Sequence, residues 1–336
     1  MVRLGDYELD MGRVVRAVLE SRARRILVQL PEGLKRHYPA LLKCIKERVG
    51  LDVEVYLDAS PAYGSCLIDL ESTGSYDLVL HVGHDPYPYA TYSSSKIVFL
   101  DLEYVGSEPE STISKLKRFL RSASAVRVAI VTTNQHKKLS KMIRSELESD
   151  GFSVVAGPAV VLGCYVPLDM GIAADAIVVV AGGFFHAIGV GMVARNSLVV
   201  RVDPYTRDVS DVSREVYRFT SRRLKKMAEA LEARSWGILV GTAGQYRPWL
   251  VGRLVRLLSE RDLNYYLYVA PVLTAEVLRN LDSPEVGAYV VTSCPRVAVD
   301  DLSDFEKPVL TPSEALRVIE RLDVGEYPDS FLEKPY

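Results

Sequence analysis

The chain has 336 residues, 48% hydrophobic and 25% charged, with a formal net charge of −2. This is a soluble globular composition with apolar material for two or three domains, and it carries no global electrostatic footprint for nucleic acid or a membrane surface. No stretch approaches the ~18 uncharged apolar residues of a membrane span. The opening Met1 to Asp6 lacks a signal peptide's apolar run, and four cysteines are too few for a disulfide framework in this length, so a reducing cytoplasm is the expected setting.

Along the chain an internal repeat of roughly one hundred residues emerges. Its first unit opens on the strand-like run Arg25 to Leu30, followed by an amphipathic stretch. There Tyr38, Leu41, Leu42, Ile45 and Val49 fall within about 100° of one another at helical spacing. Further apolar runs at 53–57, 78–82 and 97–100 complete the unit. The second unit repeats the pattern at 126–131, 153–156, 176–180 and 198–202, and the third at 236–240, 265–269, 288–291 and, more weakly, Val309-Leu310. Strands alternating with helical patterns predict parallel sheets flanked by helices, and near-continuous Val/Ile/Leu runs fit strands buried on both faces. The expected architecture is α/β with three similar lobes, residues 1–107, 108–210 and 211–336, each a small mainly parallel sheet, around a central site.

Three cysteines stand just beyond strand-like runs. Their settings are Tyr63-Gly64-Ser65-Cys66, Leu162-Gly163-Cys164 and Thr292-Ser293-Cys294-Pro295-Arg296. Cys66 and Cys164 follow the second strand of their units, Cys294 the third. In α/β sheets the chemistry gathers at strand carboxyl ends, so the three could converge, one per lobe. Three thiolates with one open position suit an iron–sulfur cluster that also binds a substrate. The alternative is three buried thiols acting as small hydrophobes. Cys44 lies mid-helix, about 60° outside the apolar face, and reads as structural. Zinc sites usually recruit close C-x2-C pairs, which are missing, as are the closely spaced cysteines of radical S-adenosylmethionine enzymes. The glycines of Gly182 to Gly191 do not fit G-x-G-x-x-G, and no P-loop lysine is present.

Other strand ends carry polar candidates. Gly241-Thr242-Ala243-Gly244-Gln245 follows a strand and opens a helical pattern, where backbone N–H groups favour a carboxylate or another anion; such turns also serve as plain connections. His186 could contact a ligand, transfer a proton or cap a turn, and His81 and His84 lie at the matching strand end of the first unit. Asp300 and Asp301 could bind a cation, but adjacent acids at a helix start usually serve as caps.

Taken together, Leu30-Pro31-Glu32-Gly33-Leu34, Tyr63-Gly64-x-Cys66, His81-Val82-Gly83-His84, Gly182 to Gly189, Asp203-Pro204-Tyr205, Gly241 to Gln245 and Cys294 to Asp301 resemble the 2-(3-amino-3-carboxypropyl)histidine synthase family, the archaeal first-step enzymes of diphthamide synthesis. The resemblance runs from about residue 25 to about residue 316. It implies a homodimer of three-lobed subunits whose Cys66, Cys164 and Cys294 hold three irons of a [4Fe-4S] cluster. It further implies that S-adenosylmethionine is cleaved reductively at its methionine-side Cγ–S bond. The 3-amino-3-carboxypropyl group then passes to C2 of a histidine on translation elongation factor 2, with an outside electron donor. His186, Arg296 and the turn containing Gly241, Thr242, Gly244 and Gln245 are the candidates for holding the methionine end; no catalytic base is indicated. One departure is Asp85-Pro86 after His84, where the family has a small polar residue and cysteine or similar, so that loop is given no role. Two other readings share the architecture: a quinolinate synthase-like cluster enzyme, and a non-catalytic electron-relay subunit.

Overall fold

The computed structural model describes residues 1–88, 96–106, 108–167, 173–194, 196–242, 245–321 and 327–328. The first hundred residues form β1 (Val2–Leu4), β2 (Tyr7–Leu9), α1 (Met11–Ser21), β3 (Arg25–Gln29), α2 (Tyr38–Val49), β4 (Glu54–Leu57), α3 (Leu70–Thr73), β5 (Leu78–Val82), β6 (Ile97–Leu100) and β7 (Leu102–Tyr104). Then come α4 (Pro109–Ser122), β8 (Arg127–Thr132), α5 (Lys137–Ser149), β9 (Ser153–Val160), β10 (Ala176–Val180), α6 (Phe185–Val193), β11 (Leu198–Asp203) and β12 (Asp208–Asp211). The rest comprises α7 (Ser213–Ala230), β13 (Ser235–Val240), α8 (Pro248–Glu260), β14 (Asn264–Val269), α9 (Ala275–Leu281), β15 (Ala288–Val291), a π-helical turn (Val297–Asp301), β16 (Val309–Leu310) and α10 (Pro312–Glu320).

Three parallel ladders repeat one strand order: β4-β3-β5-β6, β9-β8-β10-β11 and β14-β13-β15-β16. The common order puts all the strand carboxyl ends of one sheet on one side, where loops can carry function. Strand alternation divides the second sheet's apolar side chains between two cores: Val128, Ile130, Val178 and Val180 enter one, Ala129, Val131, Ile177 and Val179 the other. The first sheet packs with α1 and α2 around Val14, Ile26, Val28, Leu41 and Ile45. The third closes around Trp236, Ile238, Leu254, Tyr289 and Leu316. Among the described residues, no helix is long and apolar enough to cross a membrane.

Two elements lie outside the repeat expected from sequence. β1, β2 and β7 make a separate antiparallel sheet, with Gly5 (φ +66°) at the first of the two turn positions between Leu4 and Tyr7. β12 adds an antiparallel edge to the second sheet and runs to Asp211. Short strands of three or four residues give too little alternation to stand out from loops.

A buried ion pair ties the third sheet's helices together. Arg223 of α7 donates to both Glu314 oxygens (Nε to Oε1 2.8 Å, Nη2 to Oε2 2.6 Å) and to the carbonyls of Ala298 and Val309. Tyr327 Oη and the Thr311 N–H donate to the same carboxylate. With every oxygen partnered, the charges tolerate burial. Ala298 lies in the π turn just after Cys294, so this network also fixes the Cys294 strand end.

Candidate functional site

Cys66 sits in a 3-10 turn (Ser65–Leu67) reached from the carboxyl end of β4. Its approach is held by the Glu32-Gly33 turn: Lys35 pairs with Glu32 and donates to the Ala59 and Ser60 carbonyls, while the Ala62 N–H donates to Glu32 Oε1 at 3.1 Å. Ser65 Oγ donates to the Asp85 carbonyl at 2.7 Å, closing the first sheet's second loop onto the cysteine. Cys164 follows β9 in a tight Leu162–Tyr165 bridge. Gly163 is required there, because a Cβ would collide with the Phe185 ring at the start of α6. Cys294 follows β15, and Gly241 at the end of β13 lies so close to Ser293 that a Cβ would strike its side chain.

Gln245 joins two of these strand ends. Its Nε2 donates to Cys66 Sγ at 3.3 Å and its Oε1 accepts from the Cys294 N–H at 3.1 Å. The side chain is buried, with 6% of its surface exposed. Cys164 completes the group electrostatically. Burial pushes its thiol well up, and the neighbouring Cys294 and Cys66 push it further. Burial and then Cys66 raise the Cys294 thiol to about 11. Cys66 is also raised by burial, but the Gln245 hydrogen bond and the Arg247 charge pull it back. Thiols from three different sheets are therefore near enough to feel one another's charge. Among the described residues, no three His, Cys, Asp or Glu side chains gather tightly enough to hold a single metal ion.

The other candidates divide by position. His186 enters at the first turn of α6, whose start is fixed by Asp203: its carboxylate accepts from the backbone N–H groups of Gly183, Tyr205 and Thr206. Its Nδ1 is shielded from solvent and has no hydrogen-bond partner, and burial holds its imidazole down to about 4, so it is neutral at pH 7. Phe185 links it to Gly163, next to Cys164. Arg296 stays half exposed at the rim, with Nε on Asp300 Oδ2 at 2.9 Å and its guanidinium 5.6 Å from the Phe185 ring centre. Thr242 accepts the Gln245 N–H at 3.2 Å through its carbonyl. Gly244 lies outside the described residues. Asp300 and Asp301, taken from sequence as helix-start acids, lie in the π turn instead, where Asp300 closes back on Arg296. Cys44 packs partly buried against the first core.

Sequence reasoning missed three neighbours of the thiols. Arg247, directly before α8, donates to Tyr87 Oη at 2.9 Å and lowers the Cys66 and Cys164 thiols against the effect of burial. Tyr87 is 3% exposed. Asp85, in the loop that departs from the family pattern, is held by Lys137 at 2.7 Å and Asn134 at 3.1 Å while its carbonyl takes Ser65. Only the arginine just ahead of a helix-opening Pro248 could have been singled out in sequence; the others become neighbours through folding. His81 and His84 form a buried chain instead of a pair of free bases. Gln29 donates to Asp58 and accepts from His81 Nδ1, and His81 Nε2 lies 3.1 Å from His84 Nδ1.

Residues 30–328 match the family model described as a putative diphthamide synthesis protein. A 2-(3-amino-3-carboxypropyl)histidine synthase from Pyrococcus horikoshii is 30% identical over 92% of this chain and 89% of its own length. Its counterpart from Methanocaldococcus jannaschii is 27% identical over 92% and 88%. The crystal structure of Dph2 from Pyrococcus horikoshii with a 4Fe-4S cluster superposes with a TM-score of 0.81, covering 98% of this chain and 96% of that one at 28% identity. With a family match across nearly its whole length and curated relatives that are histidine synthases, the chain belongs to the diphthamide synthesis protein family.

Proposed function

We propose that this chain transfers the 3-amino-3-carboxypropyl group of S-adenosylmethionine to C2 of a histidine in translation elongation factor 2. In this account it works in the cytoplasm as a homodimer, fed by a separate electron donor, and its three sheets are the cores of three lobes (1–107, 108–210 and 211–336). The observation that carries the proposal is the Gln245 bridge between Cys66 and Cys294, with Cys164 close enough to be raised by both.

The donor set fits a [4Fe-4S] cluster. Gln245 links the Cys66 and Cys294 strand ends, giving Cys66 an N–H···S hydrogen bond of the kind that tunes cluster potential, and Cys164 feels the charge of both. Cys66, Cys164 and Cys294 would hold it. Bound there, the cluster supplies an electron and one open coordination position for the methionine end of the cofactor.

The surrounding residues then divide the remaining tasks. His186, neutral and with Nδ1 unpartnered, can accept from the methionine ammonium. Arg296 offers a guanidinium for the carboxylate once it is released from Asp300, and Gly241 and Thr242 lie just ahead of α8, where backbone N–H groups favour an anion. Gln245 holds two of the thiol-bearing strand ends at fixed separation, and Phe185 packs the third against α6.

The test is cluster assembly. Protein purified without oxygen should carry about four irons per chain with a broad brown absorption. Cys66→Ala, Cys164→Ala and Cys294→Ala should each lose most of it, and Cys44→Ala should not. Colourless protein with one tightly held zinc, or equal damage from Cys44→Ala, would contradict the assignment.

A further inference from the structure

Four side chains of the first sheet and its loops form one hydrogen-bonded row: Asp58, Gln29, His81 and His84. Gln29 Nε2 donates to Asp58 Oδ2 at 2.9 Å, Gln29 Oε1 lies 2.8 Å from His81 Nδ1, and His81 Nε2 lies 3.1 Å from His84 Nδ1. Gln29 and His81 are buried, with 5% and 1% of their surface exposed. Each contact in such a row needs one donor and one acceptor, so all its hydrogens point the same way.

Asp58 sets that direction. A carboxylate only accepts, so the Gln29 amide nitrogen faces it and the amide oxygen faces His81. His81 must then carry its hydrogen on Nδ1, which leaves its Nε2 as an acceptor. The hydrogen between the two rings therefore belongs to His84 Nδ1. Burial holds His81 down to about 3 and His84 to about 4, so both rings are neutral at pH 7. A neutral imidazole has one N–H, and His84 Nε2 is left with a bare lone pair. It has no hydrogen-bond partner among the described residues, and His84 keeps part of its surface open.

The loop bearing His84 borders the thiols. Gly83, at φ +83°, turns the chain out of β5 where a Cβ would press on Pro31. Gln135, just after β8, donates to the Gly83 carbonyl at 2.8 Å, and Lys137 and Asn134 hold the Asp85 carboxylate. The Asp85 carbonyl accepts from Ser65, the residue before Cys66. Tyr87 accepts from Arg247, whose charge reaches Cys66 and Cys164. His84 is thus fixed from both sides next to the site. A free lone pair on an imidazole whose tautomer is set by a second group is the arrangement of a general base.

We propose that His84 is the catalytic base of the transfer, its Nε2 removing the proton from C2 of the acceptor histidine. The inference rests on the reaction of the preceding section. When the carbon radical bonds to C2, that atom becomes tetrahedral and keeps its hydrogen. The adduct gives one electron to the oxidised iron–sulfur centre. The C2–H bond then breaks, its electron pair restores the ring and its proton passes to His84 Nε2. One proton is released per group transferred, with no net electron consumed. Because aromaticity returns with the loss of that proton, a weakly basic imidazole suffices. Asp58, Gln29 and His81 touch no reacting atom; they are positioning residues that keep the lone pair outward.

Long-range 1H–15N spectra of cluster-free protein labelled at its five histidines read the tautomers directly. His81 and His84 should both carry hydrogen on Nδ1 at pH 7. In His84→Ala the amount of group transferred per methylthioadenosine released should fall about a hundredfold, and added imidazole should restore part of it. Should that variant misfold, Asp58→Asn decides. Asp58 Oδ1 accepts the Ser60 N–H at 2.9 Å, so the substituted amide keeps its oxygen there and turns its nitrogen to Gln29. Gln29 must flip, the row reverses and the hydrogen moves to His84 Nε2, with a matching fall in transfer. A wild-type His84 with its hydrogen on Nε2, or undiminished transfer in His84→Ala or Asp58→Asn, would overturn the base and leave the transfer reaction standing. A wild type that transfers nothing to the factor would overturn the reaction itself, and the base with it.

Discussion

Gln245 is the side chain that spans two sheets at the thiols, donating to one cysteine and accepting from the backbone of another. Gln245→Leu keeps the volume roughly but removes both bonds. An N–H donated to a cluster thiolate stabilises the reduced, more negative state, so the variant's reduction potential should fall by tens of millivolts. Film voltammetry measures it, and an unchanged potential would mean that the bond is absent in the loaded protein. The buried imidazoles lead to a second prediction. Burial holds His81 down to about 3 and His84, His136 and His186 to about 4. Unfolded, each would titrate near 6.5, so the stability of burying them neutral is fully present above that pH and drains away as pH falls towards 4. Glu103, raised by burial to about 7, acts in the opposite sense and offsets part of the loss. Thermal melts of cluster-free protein should therefore drop between pH 7 and pH 5. His81→Gln should shallow the underlying stability slope by about 1.4 kcal/mol per pH unit. A slope unchanged by that substitution would count against the assignment.

At the scale of elements, the Arg223–Glu314 pair connects α7, α10, β16 and the turn after Cys294. Glu314→Gln leaves a buried guanidinium without its countercharge, which should cost about 3–5 kcal/mol of unfolding free energy in urea titrations. The same variant should lose cluster occupancy, because the Ala298 carbonyl is one of the arginine's acceptors; a loss below about 1 kcal/mol would place the pair outside the structural core. The parallel strands around it were plain in sequence. Leu78–Val82, Ala176–Val180 and Ala288–Val291 match their apolar runs residue for residue, since strands buried on both faces leave unbroken Val/Ile/Leu text. β1, β2 and β12 were not read, although Gly5-Asp6 is a two-residue hairpin signal, because three or four residues of alternation seldom rise above loop composition.

Across the whole molecule, the site draws on loops far apart in sequence, with 98 residues from Cys66 to Cys164 and 130 from Cys164 to Cys294. The cysteines and Gln245 could be picked out beforehand because each follows an apolar strand and is flanked by glycine or a turn. Tyr87 and Asp85 could not, because their roles arise from contacts that no local pattern encodes, and Arg247 is marked only by its place ahead of Pro248. His186 shows both sides. Its motif marked it, yet its unpartnered, buried Nδ1 becomes visible only when α6 is packed against Gly163.

The measurement that bears most directly on the account is the fate of two labels in S-adenosylmethionine, incubated without oxygen with dithionite, this protein and archaeal elongation factor 2. Label in the aminocarboxypropyl carbons should appear on the factor, and label in the methyl group should leave with methylthioadenosine. Replacing the factor's target histidine should abolish the transfer. Methyl label on the factor, 5′-deoxyadenosine as the main product, or cluster reduction with no cofactor cleavage would contradict the account.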